Sequence, residues 1–429
     1  MSNRMRCLWI SRHIPFPQTE GAKVYSANLA QSLARSGAFV RFIGFGDADA
    51  VPESAAGVEW LAVPGKRRSK ALAAFSHRPI AAAIDATKAY GALLEEQLCE
   101  HWDAVVLDGY AAGWALDRCL AYRNERPAHP PVLAHVSHNH EEALWNSMAR
   151  EARGPALKRW VLRRNAGKVS TLERRIVRSM DLLTTITDED RRSLGADADR
   201  IRVLTLTPGY NGWVAGERRI SPATPRRAII ISSFVWIVKQ ENIARFVEIA
   251  DPIFKEHGIE LDVVGEMPQA LQTALRARCR ATHFHGFLTD VAPLLKGARI
   301  AIVHESIGGG FKLKLLDYIF GRVPIATVSQ AIAGLSDELQ HAMLTNNSQE
   351  GLIADIVFHI DRFDELNRMQ ERAFSVGNEQ FQWTVRGEQL RQAIFDLRRQ
   401  RPAIQAPGTP PAVLDDIDLA ATKRHRAHA

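Results

Sequence analysis

The sequence predicts an α/β fold of two doubly wound parallel-sheet domains facing each other across a cleft. Three observations carry that expectation. Short apolar runs alternate with longer amphipathic stretches over most of the chain, the alternation lapses between Gly209 and about Pro225, and it then resumes with the same rhythm. Short apolar strands separated by helices indicate parallel sheets covered on both faces, since each crossover helix buries one stripe against the sheet.

The first 45 residues supply strand, loop, helix and strand: RCLWIS, the turn-rich RHIPFPQTEGAK, the amphipathic VYSANLAQSLARSG that stops at Gly37, and AFVRFIGFG. Further strands are expected at DAVVLDG, PPVLAHVS and DLLTTIT, the last leading into DEDRRSL with Thr187 as its N-cap. RIRVLTLTPGY closes this half, and GYNGWVAGERRISPATP, rich in Gly, Pro and polar residues, reads as a linker. The second half offers strands RAIIISSF, IELDVVG, THFHGF, RIAIVHE and VPIATV, with helices such as NIARFVEIADPIFKEHG and PQALQTALRARCR between them. The expected units are residues 1–212, residues 213–380, a last helix over 381–400 (WTVRGEQLRQAIFDLRRQ), and a disordered Pro- and Ala-rich tail over 401–429.

Composition narrows the class. With 46% hydrophobic and 24% charged residues over 429 positions, the chain suits two core-bearing domains. No apolar run reaches the roughly 18–20 residues that span a bilayer, and the start MSNRMRCLWISRHIP is unlike a secretory leader, so a cytoplasmic location is expected. Cys7, Cys99, Cys119 and Cys279 are scattered and form no C-x-x-C pair, which argues for buried thiols rather than disulfides or a zinc site. A net charge of +7 suits an anionic ligand, a membrane surface or nucleic acid.

The segment ESIGGGFKLKLLDYIFGRVP carries the clearest chemistry. Gly308, Gly309 and Gly310 follow a strand and lead into an expected helix with Lys312 and Lys314 in its first turn and Asp317 at its centre. Glycines at a strand's carboxyl end let backbone N–H groups approach a phosphate, and lysines add charge. Asp317, three residues after Lys314, is placed to pair with it or to reach a ribose hydroxyl. A flexible turn before a solvated helix face is the plainer reading. The spacing is neither that of a P-loop nor of a nicotinamide-binding G-x-G-x-x-G.

Over residues 5 to 398 the order of several motifs resembles the group 1 (family 4) retaining glycosyltransferases, which have the GT-B fold. The opening PFPQTEGA loop, SHNHEE, LERRIVRSMDLLTTITDED, LDVVGEMP, FHGFLTDVAPLLKGARIAIVHES, GGGFKLKLLDYIFGRVPIAT and FQWTVRGEQL each resemble a segment of that family in turn. The resemblance implies two Rossmann-like domains, an acceptor-side first domain, a donor-side second domain, and a last helix crossing back to the first domain. It implies donor contacts at Gly21, Ser233, Gly265, Gly308, Gly309, Gly310, Lys312 and Asp317, and catalytic roles for His138, Lys239 and Lys314. It departs from the family at Gly309, where many relatives carry a Glu eight residues before the Glu that Asp317 replaces, and in SSFVWIVKQEN, which has Ser233 and Lys239 but no matching Arg.

AHVSHNHEE gathers His135, His138 and His140 beside Glu141 and Glu142, a set that also suggests a metal-dependent hydrolase. The resemblance instead makes His138 the cleft residue; His135, inside the strand, is expected to be structural, and His283 and His285 are assigned no chemistry. No metal and no cofactor are expected, the nucleoside-diphosphate sugar being a substrate. From Arg150 to Arg175 the chain collects Arg150, Arg153, Lys158, Arg159, Arg163, Arg164, Lys168, Arg174 and Arg175, interrupted by Trp160, Val161 and Leu162. That segment suits an anionic membrane or a lipid-linked diphosphate acceptor as well as a solvated face, and no nucleic-acid motif accompanies it. The implied activity is sugar transfer, with retention, to a glycan or lipid-linked acceptor in surface polysaccharide or glycoconjugate synthesis, at the inner face of the membrane. A sugar-nucleotide epimerase or a phosphorylase of the same fold, or a non-catalytic partner subunit, is the alternative.

Overall fold

The computed structural model describes residues 4–55, 57–152, 155–194, 200–235, 237–305 and 310–400. Seven strands build the first sheet: β1 (Arg6–His13), β2 (Phe39–Phe45), β3 (Val58–Val63), β4 (Ala104–Asp108), β5 (Val132–Val136), β6 (Leu182–Thr185) and β7 (Arg202–Thr205). They pair in parallel in the order β3-β2-β1-β4-β5-β6-β7. The second sheet contains β8 (Arg227–Ile231), β9 (Glu260–Val264), β10 (Thr282–Gly286), β11 (Ile300–Val303), β12 (Ile325–Val328) and β13 (Leu344–Asn346). Its order is β10-β9-β8-β11-β12-β13, again parallel. The two doubly wound domains are therefore as the alternation predicts.

Two strands escape the sequence reading, each at a sheet edge. β3 shows only its two end residues buried, and β13 is three residues, Leu-Thr-Asn, with none fully buried. Central strands declare themselves through unbroken burial: every residue of β4, β5, β6, β11 and β12 is buried. Thr187 caps its helix as expected, its side chain accepting from the Asp190 N–H. Of the four free thiols, Cys7 and Cys119 are buried and Cys279 is half-buried, but Cys99 is exposed, because it ends a surface helix.

Both faces of the first sheet carry a core. One contains Trp9, Phe42, Tyr25 and Leu29 together with Trp383, Leu390, Ala393 and Ile394 of the last helix, Trp383–Gln400. That helix crosses back onto the helix Gly21–Arg35, and Gly387 permits the close approach: a Cβ there would lie 2.3 Å from the Ser32 carbonyl. The chain passes between domains twice, at adjacent places. The Tyr210 N–H donates to the Phe381 carbonyl at 2.8 Å, and a Cβ on Gly209 would meet the Trp383 nitrogen at 2.3 Å. The expected crossing helix is thus present; the tail, residues 401–429, lies outside the described residues.

Candidate active site

In open parallel sheets, ligands bind beyond the carboxyl ends of the strands where the strand order reverses. Here those reversals fall between β1 and β4 in the first sheet and between β8 and β11 in the second. Asp108 ends β4, the loop with His138 follows β5, Ser232 follows β8, and Glu305 and the glycine segment follow β11. The described part of that segment touches the first domain. A Cβ on Gly310, which has φ +74°, would come within 2.7 Å of Asn139 Oδ1, and one on Gly21 within 3.3 Å of the Leu313 side chain. Gly308 and Gly309 lie outside the described residues, as does Arg153 of the basic segment.

On the second domain three lysines surround one carboxylate. Lys314 forms a buried ion pair with Glu305 and donates to Ser232 Oγ at 3.2 Å, while Lys239 Nζ lies 3.5 Å from the same hydroxyl. Burial disfavours the Glu305 charge, but the Lys314 ammonium, with His304 and Lys239, outweighs it and holds the carboxyl at about 2. Burial pulls Lys312 down to about 8, with Glu305 opposing and the neighbouring lysines reinforcing the shift. One carboxylate against three ammonium groups leaves a cationic site. An ammonium has three N–H donors, and the described bonds of Lys314 employ two of them.

Several details correct the sequence reading. Ser232, buried, is the serine in the lysine cluster; Ser233, one position on, is exposed. The helix begins at Lys314, not before Lys312, and Lys312 precedes it in a turn. Asp317 does not pair with Lys314. Its Oδ1 lies 3.1 Å from the Tyr210 hydroxyl, and burial raises it to about 6 although that hydroxyl's hydrogen bond opposes the shift. Gly21 opens the helix Gly21–Arg35 rather than sitting in the loop before it. Gly265 is held at φ +138° beneath Ser232.

His138 on the first domain is fixed from two sides. Its Nε2 lies 2.6 Å from Asp108 Oδ1, and its ring meets the edge of Tyr25 at 5.6 Å between centroids. Burial opposes protonation, yet the Asp108 carboxylate prevails and raises the imidazole pKa. His138 Nδ1 is buried and has no hydrogen-bond partner among the described residues. His135 is structural as expected, with Nδ1 2.9 Å from the Leu107 carbonyl on the neighbouring strand. Asp108 and Glu305 were missed in the sequence. DAVVLDG does end in Asp108 beside a glycine, a strand-end signal that could have drawn attention to it.

One histidine–carboxylate group does assemble in the loop after β5. Ligand atoms of His140, Glu142 and Glu173 lie within 4.8 Å of one another. The carboxylates already have work there: Glu173 accepts the Glu141 and Glu142 N–H groups at 2.9 and 2.6 Å, capping the helix Glu141–Glu151, and Glu142 pairs with Arg174. His138 belongs to a different constellation, facing Asp108.

Comparison with known proteins agrees with this architecture. Residues 20–207 match the family model described as "Glycosyl transferase 4-like domain", and residues 225–361 match "Glycosyl transferases group 1". No curated protein sequence matches the chain. Among solved structures, the chain is similar to Anabaena Alr3699/HepE, in complex with UDP-glucose, at 14% identity and TM-score 0.59 over 92% of this chain and 100% of that one. It is also similar to WaaG, a glycosyltransferase involved in lipopolysaccharide biosynthesis, at 18% identity and TM-score 0.58 over 91% and 99% of the two chains. A third is the E. coli structure "Trehalose-6-phosphate from E. coli bound with UDP-2-fluoro glucose", at 13% identity and TM-score 0.59 over 92% and 100%. With both halves matched by its models and the GT-B fold in place, the chain belongs to the group 1, family 4-like glycosyltransferases.

Proposed function

We propose that the protein transfers a sugar, with retention of anomeric configuration, from a nucleoside-diphosphate sugar to a glycan or lipid-linked acceptor, in surface polysaccharide or glycoconjugate synthesis. The observation that carries this reading is the meeting of the two domains at this site: Gly310 packs against Asn139, next to His138, and Leu313, between Lys312 and Lys314, packs against Gly21. A diphosphate held on the second domain then places its sugar beside His138.

Breaking the sugar–phosphate bond leaves negative charge on the diphosphate, and stabilising that charge is the main catalytic demand. Lys239, Lys314 and Lys312 supply it, together with the glycine segment. Gly265 keeps the floor of the site low enough for the nucleotide, and Asp317, with one oxygen on Tyr210, offers the other to a ribose hydroxyl. His138, whose protonated form the Asp108 carboxylate favours, presents Nδ1–H to the sugar or to the incoming oxygen. The acceptor hydroxyl attacks on the face from which the diphosphate departs and passes its proton to the departing phosphate oxygen. Domain closure excludes the water that would hydrolyse the donor. The site of action in this reading is the cytoplasmic face of a membrane, where a lipid-linked acceptor is presented.

The test is ligand-induced stabilisation. A ligand that binds only the native state raises the melting temperature, by an amount equivalent to about 2.7 kcal/mol at a hundredfold excess over Kd. UDP, GDP, ADP and CMP are screened against the purified chain, and at least one nucleoside diphosphate is expected to give a clear upward shift that Lys314→Glu abolishes. No shift with any of them overturns the donor assignment; binding without turnover across a broad acceptor set supports the non-catalytic reading instead.

The lowered pKa of Lys312 predicts a pH dependence. Below about 8 it is an ammonium and attracts diphosphate; as pH rises through that value the charge is lost. Nucleotide Kd is expected to weaken by up to about tenfold between neutral pH and pH of about 9.5, the worth of one charge-assisted contact. In Lys312→Arg the guanidinium stays charged and the weakening should vanish. An unchanged profile in that variant removes Lys312 from the donor site.

A further inference from the structure

A cavity of about 420 Å³ opens on the first domain, lined by Arg68, Arg78, Lys88, Arg118, Glu95 and Trp114 among others. Four cations face one carboxylate, and that carboxylate is already paired with Arg118. The first turn of the helix Lys88–Leu98 also lines it, with Thr87 as N-cap, so the peptide dipoles add to the positive potential. Small residues Gly91 and Ala92 leave the room. The cavity is built for an anion with several oxygens.

Its rim is apolar. Arg68 and Arg78 bracket the short helix Lys70–Ala74, on which Leu72 is 72% exposed and after which Phe75 is 89% exposed. That segment is tied to the long basic helix Ala156–Ser179: Lys168 donates to the carbonyls of Ala74 and Ser76, and Asn165 accepts the Ile80 N–H at 2.8 Å. Trp160 and Arg164 precede Lys168 at four-residue spacing, and Leu157 and Val161 precede Asn165 likewise, so two stripes run from the tie toward the helix start. Leu157 is 71% and Trp160 56% exposed, and every residue from 156 to 160 is exposed. Exposed large apolar side chains on two joined elements, interleaved with Lys158, Arg159, Arg163 and Arg164, form a surface that water does not favour and anionic lipid does.

We infer that this face docks on an anionic phospholipid bilayer, with Leu72, Phe75, Leu157 and Trp160 entering the headgroup region and the Arg68–Arg78–Lys88 cavity holding a lipid phosphate. The inference rests on the lipid-linked acceptor reading above and names the surface by which the protein would reach the membrane that holds such an acceptor. Charge complementarity selects this occupant over a second copy of the chain, whose same face would be equally cationic.

The test uses the full-length protein in sedimentation with phosphatidylcholine vesicles, with and without phosphatidylglycerol. Wild type is expected to pellet only with the anionic vesicles. The double variant Leu72→Ser, Phe75→Ser should weaken that partition by about tenfold or more, through lost apolar burial. Arg68→Ala with Arg78→Ala should weaken it by about thirtyfold, from roughly 1 kcal/mol for each of the two basic residues. All four positions are half-buried or exposed, and unchanged nucleotide-induced stabilisation in the variants verifies their folding. Wild type remaining in the supernatant overturns the proposal, as does partition indifferent to both double variants. Inorganic phosphate provides the second arm: stabilisation by phosphate that depends on Arg68 and Arg78, without vesicle binding, assigns the cavity to a soluble phosphate ester and also overturns it. Vesicle binding needs neither donor nor turnover, so its failure and the failure of the donor assignment are read separately.

Discussion

Lys314→Met is expected to cost about 3–5 kcal/mol of stability and about 10²–10³-fold in kcat, by two separable routes. The first is structural. Glu305 is buried, and its charge is maintained chiefly by the Lys314 ammonium against the penalty of burial. Without that ammonium the buried carboxylate must either remain charged with its main counter-charge gone or take up a proton, and both alternatives raise the energy of the folded state. The second is chemical, since Lys314 also faces the departing diphosphate in the proposed reaction. Lys314→Met combined with Glu305→Met separates the two. The uncompensated charge is gone, so most of the stability should return, whereas turnover should stay low. Denaturation midpoints and steady-state rates on wild type, Lys314→Met and the double variant read this out; recovery of turnover in the double variant would sink the catalytic assignment.

Gly265→Ala should be the most disruptive single methyl in the second domain, costing about 4 kcal/mol or more. Gly265 has φ +138°, and its Cβ would lie 1.7 Å from the Ser232 carbonyl oxygen and 2.8 Å from the carbon. That obstacle is backbone, and it cannot rotate away. The two strand ends are also clasped: Ser232 N–H donates to Val264 at 3.0 Å, Gly265 N–H to Gly286 at 2.7 Å, and Phe234 N–H to Glu266 at 2.8 Å. A displaced Ser232 would carry its hydroxyl away from Lys314, so nucleotide-induced stabilisation should fall as well. Gly37→Ala is the control. Gly37 has φ +104° but nothing within 4 Å of its would-be Cβ, so only the left-handed strain remains, about 1–2 kcal/mol. Equal losses in the two variants would show that backbone conformation, not the close approach, is what Gly265 provides.

The fold was legible because its information is local. A buried parallel strand is an apolar run, and its neighbours in the sheet need not be identified for the run to be seen. β3 and β13 were not legible for the same reason, being half-exposed or three residues long. Motif order singled out His138, Lys239, Lys312 and Lys314 one by one, but the side chains that surround them come from far along the chain and carry no local signal. Asp108 stands 30 residues before His138, and Glu305 and Ser232 reach Lys314 from separate strands. Ser232 bonds to Lys314 while Ser233, the serine the motif order points to, is exposed, a difference of one position at a strand end, where successive side chains turn to opposite sides. Helical spacing allowed Asp317 either Lys314 or a ribose hydroxyl as partner, and it could not show that the linker residue Tyr210, 107 positions earlier, bonds to it.

The last helix has a consequence for the order of synthesis. Trp383, Leu390, Ala393 and Ile394 close one face of the first domain's core, over Tyr25 and Leu29. A ribosome must therefore complete the whole second domain before the first can bury that face. The first domain waits with an open apolar surface while the second is made, and a nascent chain stopped short of residue 383 would carry a finished second domain attached to an unfinished first. The protein is in this sense completed from its end backward, and premature termination late in the message should damage its earliest-made part.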